Sequence, residues 1–309
     1  MQVAVISEIG SAGTKVAPRA REPFSRDAGS PTAMSGVTDV HVHVQPFRML
    51  KPDILESMKR ERPQFPQLIK MSEDPSVLLR ILDEAGVERA CLINYVAPDV
   101  MGFLPTVNDY VLKYAKADRD RLIPFGSIHP AHTKDVKKEA KALVKAGLVG
   151  FKIHPPHQLL FPNDPRLEPL YDVAEEAGVP VMIHTGTSTF PAAKSRYGDP
   201  ITVDDVAVDH PDLKIILAHG GRPLWCDTAF FIARRHRNAY IDISSIPPKR
   251  LLAYFPRLEE IGDKVLFGSD WPGPGVPGIR EELDGIAELP LTKELRERVL
   301  VRNARKVFP

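Results

Sequence analysis

The chain has little cysteine. Cys91 and Cys226 are the only two in 309 residues, and both fall in or beside expected core elements. A disulfide framework is not expected, and a reducing compartment, the cytoplasm, is the default. Charge of one sign is lacking as well. Lysine plus arginine number 41 and aspartate plus glutamate 40, a net charge of +1, with no long run of either sign. Nothing selects nucleic acid or an anionic membrane as partner. No apolar stretch approaches the roughly 18 residues of a transmembrane helix.

What is present is an ordinary globular balance, 43% hydrophobic and 26% charged, in a chain long enough to bury a core without covalent staples. Proline is abundant, at 30 residues. Many prolines follow strand-like runs, as at Pro98, Pro130, Pro155, Pro156, Pro191 and Pro272. There they end the strand and stiffen the departing loop.

Residues 1–34 differ from the rest. Ser, Ala, Gly, Pro and Arg dominate, and no basic start leads into an apolar core, so a secretory signal is not supported. The segment reads as a disordered extension, with Met34 a more natural first residue.

From Ser35 a rhythm sets in. Strand-like runs are Val37–Val44, Ala90–Tyr95, Leu122–Ile128, Val149–Ile153, Val179–Ile183, Lys214–Ala218, Ala239–Ile243 and Val265–Gly268. Helix-period segments lie between them, at Pro75–Ala85, Lys134–Ala146, Pro165–Ala177, Arg222–Arg237, Pro248–Ile261 and Lys293–Phe308. Alternation of strand and helix implies a parallel sheet, and eight repeats over about 250 residues imply a closed (β/α)8 TIM barrel occupying 35–309. An open doubly wound sheet would want a glycine-rich phosphate turn after the first strand. This strand ends in His-Val-His-Val-Gln-Pro instead. One connection is long, about 45–74, and carries Phe47, Leu50, Ile54, Phe65 and Leu68 among charges. It reads as a lid over the catalytic face.

The densest chemistry is Asp39-Val40-His41-Val42-His43. Side chains alternate across a strand, so Asp39, His41 and His43 are expected on one face, with the valines turned into an apolar layer. Two imidazoles one pleat apart can converge on one ion, and zinc takes His and carboxylate ligands. Four later strand ends also finish in ligand-type residues: Lys152 and His154 in Phe-Lys-Ile-His-Pro-Pro, His184 in His-Thr-Gly, His219 in Ala-His-Gly-Gly, and Asp270 in Phe-Gly-Ser-Asp-Trp-Pro. Barrel strands point these ends at one mouth. A buried ionisable group there needs a partner, and a shared metal satisfies several together.

At these residues the chain resembles the amidohydrolase superfamily, nearest the amidohydrolase-2 branch that includes aminocarboxymuconate-semialdehyde decarboxylase and resorcylate-type decarboxylases. The resemblance runs from about Val37 to Phe308. It implies one divalent ion held by His41, His43, His184 and Asp270, with His219 beside the reacting water and Asp270 or His219 as the proton acceptor. Some superfamily members carry a carbamylated lysine on strand four. Lys152 is instead expected to hold a substrate carboxylate or to pair with Asp39.

Further substrate-binding candidates are Arg48 in the lid, His154, Arg222 and Trp271, the last as an apolar wall. His157 is a weaker candidate. His129 and His132 flank a turn and read as solvated, and His210 and His236 as structural. The resulting expectation is a metal-dependent hydrolase, in which activated water attacks a carbonyl of a small molecule, carboxylates included. The alternatives are a non-oxidative decarboxylase and a non-catalytic metal-dependent binding protein. Zinc is the first expectation for the ion, and the donor set admits manganese. Lid contacts leave a homodimer open.

Overall fold

A computed structural model describes residues 34–308. The expectation for the N-terminal extension lies outside the described residues. Eight parallel strands run in the order β1 Thr38–His43, β2 Arg89–Ile93, β3 Leu122–Gly126, β4 Gly150–Ile153, β5 Val181–His184, β6 Ile215–Ala218, β7 Ala239–Asp242 and β8 Val265–Leu266. The segment after β8 closes the cylinder onto β1. Val40 N donates to Phe267 O (2.9 Å), Asp270 N to His41 O (2.8 Å) and His43 N to Trp271 O (2.8 Å). The expected (β/α)8 barrel is the fold.

Helices form where local signals agree. Pro75–Ala85 is capped by Asp74, whose side chain accepts from Ser76 N, has Pro at its first turn, and stops at Gly86 in the left-handed conformation. Other expected segments are broken. Pro248–Ile261 divides into a helix at Pro248–Tyr254 and a 3-10 turn at Leu258–Ile261. Lys293–Phe308 holds a π turn at Arg298–Arg302. The 45–74 connection is not an irregular loop but carries helices Pro52–Glu61 and Phe65–Glu73. Its prolines hid them in the sequence, yet they stand at helix starts, where a missing N–H costs nothing. Helices Val107–Tyr114, Ile201–Asp209 and Ile279–Ala287 also escaped the pattern reading.

Strand alternation sorts side chains into two apolar bodies. Leu92, Phe151, Ile153, Val181, Ile183, Ile215 and Leu217 face the helices. Cys91, Ile93, Ile123, Phe125, Met182, Ile216 and Leu266 fill the interior with Ala304, Val307 and Phe308 from the C-terminal helix. Phe308 stands edge-on to Phe125 with ring centroids 5.9 Å apart, and Arg89 Nη1 holds its carbonyl at 2.9 Å. The base of the barrel is therefore plugged, and open space is left at the strand C-termini.

In β1 the expected alternation fails at one place. The pairing with β2 slips between Asp39 and Val42, a bulge that turns Val40 into the interior cluster while Val42 packs outward. Asp39 is not a cavity residue. Its Oδ1 accepts from His41 N and Ser269 N, both at 3.0 Å, and so holds the bulge and ties it to the segment after β8.

Candidate metal centre

Interior parity places Lys152, His184 and Asp242 along the upper barrel wall, with His41 and His43 on β1 after the bulge. His219 and Asp270 stand just past β6 and β8, and both have φ of 66°. Non-glycine residues rarely adopt this left-handed backbone, and it costs about 1–3 kcal/mol each where it occurs. Surrounding contacts enforce it.

The motif residues explain those contacts. Thr185 Oγ1 donates to Ala218 O (2.8 Å) and accepts from Gly221 N (3.0 Å), linking the ends of β5 and β6. Gly186 has φ of 112°, and a Cβ there would strike the Arg222 backbone. At Gly268 a Cβ would collide with the Asp242 carboxylate and His41 Cβ. Glycine at 268 thus lets strands one, seven and eight approach closely enough to bring His41 and Asp242 together.

His41 Nδ1 donates to Asp242 Oδ2 at 2.6 Å. Its Nε2 then carries the lone pair and lies 3.4 Å from Asp270 Oδ1. His219 is held the same way, its Nδ1 3.1 Å from Ser244 O and 2.9 Å from Ser244 Oγ. Ser244 Oγ also donates to Asp242 Oδ2 at 2.8 Å. His43 Nε2 stands 2.9 Å from Asp270 Oδ1, with Gln45 Nε2 3.3 Å from its Nδ1. The ligand atoms of His41, His219 and Asp270 all lie within 4.8 Å of one another. His43 adjoins this group through Asp270, and His184 through His219, with ring centroids 4.7 Å apart. His219, expected beside the reacting water, is thus inside the tightest group, while His43 and His184 flank it.

Electrostatics match the geometry. Burial, and then the Lys152 ammonium, push the His41 imidazole well below the usual histidine range. Burial likewise lowers His184 and His219. Neutral imidazoles are the form that binds metal. Burial works to raise Asp270, yet the His43 hydrogen bond and the Arg222 guanidinium hold it well below the usual carboxylate range. It is an anion. His41 Nε2, His184 Nε2 and Lys152 Nζ are buried with no hydrogen-bond partner, a costly condition unless something else satisfies them. Buried lone pairs on two imidazoles beside an ionised carboxylate fit a divalent ion of the zinc or manganese kind.

A cavity of about 270 Å³ opens over this group. Lys152, His154 and Arg222 line it. Arg222 is set by Ser245, donating from Nε to the carbonyl (2.8 Å) and from Nη2 to the hydroxyl (2.6 Å). Burial lowers Lys152 to about 8 while Asp242 and Asp270 pull it up. It does not pair with Asp39, which the bulge has turned away. Arg48 does not reach the site. It is 74% exposed and pairs with Glu73 at 2.8 Å. Trp271 packs into the outer apolar layer, and Pro272, Gly273 and Pro274 form the wall in its place.

Sequence reasoning missed Asp242, Arg62 and Tyr95 as site neighbours, and gave His157 only as a weaker candidate. Asp242 had a legible signal, an acid inside the apolar run Ala-Tyr-Ile-Asp-Ile. Arg62 had none, being one charge among many in the 45–74 connection. It lines the cavity, and its Nη1 donates to Pro272 O. His157 is buried, bridging Tyr95 Oη (3.0 Å) and Ser188 Oγ (2.8 Å), and burial drops it to about 3. It stacks on His154 at 3.6 Å, which stacks on His184 at 4.0 Å. His210 and His236 do pair structurally, with Glu168 (2.9 Å) and Asp204 (2.6 Å). His129, expected to be solvated, is buried.

The family model described as Amidohydrolase matches residues 38–309. No curated protein matches the chain. Among solved structures, an uncharacterized TIM-barrel protein from Bordetella bronchiseptica is 23% identical, with a TM-score of 0.69 over 88% of this chain and 97% of that one. A probable 2-pyrone-4,6-dicarboxylic acid hydrolase from Acinetobacter baumannii, solved with citric acid bound, is 18% identical, with a TM-score of 0.64 over 88% and 99%. A 5-carboxyvanillate decarboxylase from Novosphingobium aromaticivorans, solved with manganese and 4-hydroxy-3-methoxy-5-nitrobenzoic acid, is 14% identical, with a TM-score of 0.64 over 93% and 99%. At these identities the likeness is one of fold. No helix among the described residues is long and apolar enough to cross a membrane.

Proposed function

The chain belongs to the amidohydrolase family of enzymes, and from that premise we propose that it is a metal-dependent hydrolase of a small carbonyl compound bearing a carboxylate. The observation that carries this reading is the pinned His41 ring, whose Nδ1 is committed to Asp242 and whose Nε2 lone pair is buried, without a hydrogen bond, beside an ionised Asp270. His41, His43, His184 and Asp270 would hold the ion, with His219 close enough to share it. A divalent ion would supply Lewis acidity towards a carbonyl oxygen and lower the pKa of adjacent water to about 7.

The protein's own groups supply the rest. Arg222, Arg62 and Lys152 bring three cationic side chains to one cavity. An arginine can hold a carboxylate with two parallel hydrogen bonds. The stacked rings of His184, His154 and His157, with Tyr95 beside them, line the cavity with aromatic groups that suit a planar substrate. Asp270, an anion at neutral pH, accepts the proton of the attacking water, and His219 Nε2 is the second acceptor, its Nδ1 being fixed on Ser244. The proton then passes to the leaving nitrogen or oxygen as its single bond to the acyl carbon breaks.

The same aromatic lining supports a second reading, non-oxidative decarboxylation of an aromatic or enolic acid, and a 5-carboxyvanillate decarboxylase is among the structures of similar fold. One experiment separates the two. The purified, metal-loaded protein is presented with lactones, esters and amides that carry a carboxylate, and with hydroxylated aromatic acids. Acid or amine release supports hydrolysis, and carbon dioxide release with a protonated ring supports decarboxylation. Bound metal with no turnover of either group would overturn both.

A further inference from the structure

A second group of potential metal ligands lies outside the cavity lining, where the loops after β2 and β3 meet. We propose that Asp99, His129 and His132 form an additional divalent-metal site for a borderline ion such as Zn²⁺. One ligand atom from each lies within 4.8 Å of the other two. The three come from two loops, so the cluster is a product of folding and not of local spacing. His132 Nε2 already stands 2.8 Å from Asp99 Oδ2. The His129 and His132 rings meet edge-to-face with centroids 4.7 Å apart.

Each residue is placed for this role. His129 is buried, with its Nδ1 accepting a long 3.3 Å hydrogen bond from Ala131 N and its ring also bonded to the Gln158 backbone. His132 and Asp99 are reachable from solvent, at 33% and 60% side-chain exposure, which gives an ion an entry path. Two imidazoles and one carboxylate with a side open to water make the three-ligand set that zinc accepts, and imidazole favours the ions late in the divalent series over magnesium or calcium. An ion here would replace the Asp99–His132 hydrogen bond and pin the two loops together. The consequence reaches the cavity. The Asp99 carbonyl also takes the Lys51 ammonium at the start of the lid's first helix, and the loop carrying Asp99 supplies Tyr95 and Met101 to the cavity wall.

The test uses the full chain stripped of metal and reloaded with Zn²⁺ alone, with elemental analysis after removal of free ion. Wild type is expected to hold two equivalents, and both His132→Ala and Asp99→Asn one, with circular dichroism unchanged because both positions are exposed. His43→Ala, which disables the barrel centre, is expected to keep the outer equivalent and to gain Tm on Zn²⁺ addition. The double variant His43→Ala/His132→Ala is expected to show neither. One equivalent in wild type that survives His132→Ala, or a Zn²⁺-dependent Tm gain retained in the double variant, would overturn the proposal. Loss of the barrel ion alone would count against the proposed hydrolase and leave the outer site standing.

Discussion

His41 on β1 and Asp242 on β7 share a 2.6 Å hydrogen bond across 201 residues of sequence. That bond selects the Nδ1–H tautomer and points Nε2 into the cavity. Carboxylates behind a ligating histidine typically contribute 10–100-fold to metal affinity. Asp242→Asn is therefore expected to weaken metal binding by about that factor while leaving the barrel folded. Competition with a chromophoric chelator measures it, and an unchanged affinity would remove Asp242 from the site.

Asp270 lies at φ 66°, so the informative substitution is one that tolerates a left-handed backbone. Asn does. Asp270→Asn is expected to cut turnover by about 10²–10⁴-fold, the range for losing a positioned acid or base. Far-ultraviolet circular dichroism should match wild type. Full activity in the variant would assign the proton transfer elsewhere.

Arg62 and Arg48 make a paired test. Arg62 lines the cavity and Arg48 faces solvent against Glu73. Arg62→Ala should raise KM for a carboxylate substrate by about tenfold, the equivalent of one lost charge-assisted hydrogen bond of 1.5 kcal/mol. Arg48→Ala should leave KM and kcat within about twofold, because an exposed ion pair contributes about 0–1 kcal/mol. Equal effects of the two substitutions would contradict the assignment.

Phe308 is 1% exposed and closes the base of the barrel against Phe125. Phe308→Ala removes a buried aromatic ring from a rigid wall and is expected to cost about 3–5 kcal/mol. Urea unfolding reads this directly as a lower midpoint.

Glu282 gives a pH-dependent prediction for the metal-free protein. Burial first, and then Asp39, Asp270 and Glu281, raise its carboxyl from an ordinary 4.5 to about 7. Between those two values the folded state holds a proton that the unfolded chain has released. Stability contributed by the neutral carboxyl is complete below about 4.5 and is lost as pH rises to about 7. Glu282→Gln should flatten that part of the stability profile and be the more stable form at pH 8. An identical pH slope in the variant would refute the shift.

Much of the site was legible because each strand announces its own end. His41, His184, His219 and Asp270 each follow a short apolar run, and a barrel sends all such ends to one mouth. Asp242 was equally legible by that rule and was passed over. Arg62 and Tyr95 were not, since no local pattern marks a lid arginine or a loop tyrosine as facing a cavity. The helices of the lid were obscured by Pro52 and Pro66, which look like breakers in a list and act as helix starters in three dimensions.

The amino-acid order by itself determined the alternation of strand and helix, the closed parallel barrel, and the strand ends that carry imidazole and carboxylate. These follow from periodicities that act over a few residues. Only the tertiary structure decided that Val40 turns inward while Asp39 ties β1 to the segment after β8. It also decided that His219 joins His41 and Asp270, and which nitrogen of each ring is free. Those outcomes depend on a bulge, on the Ser244 contact that fixes His219, and on closure between the first and last strands, which brings together residues as much as 230 positions apart, and no local pattern encodes them.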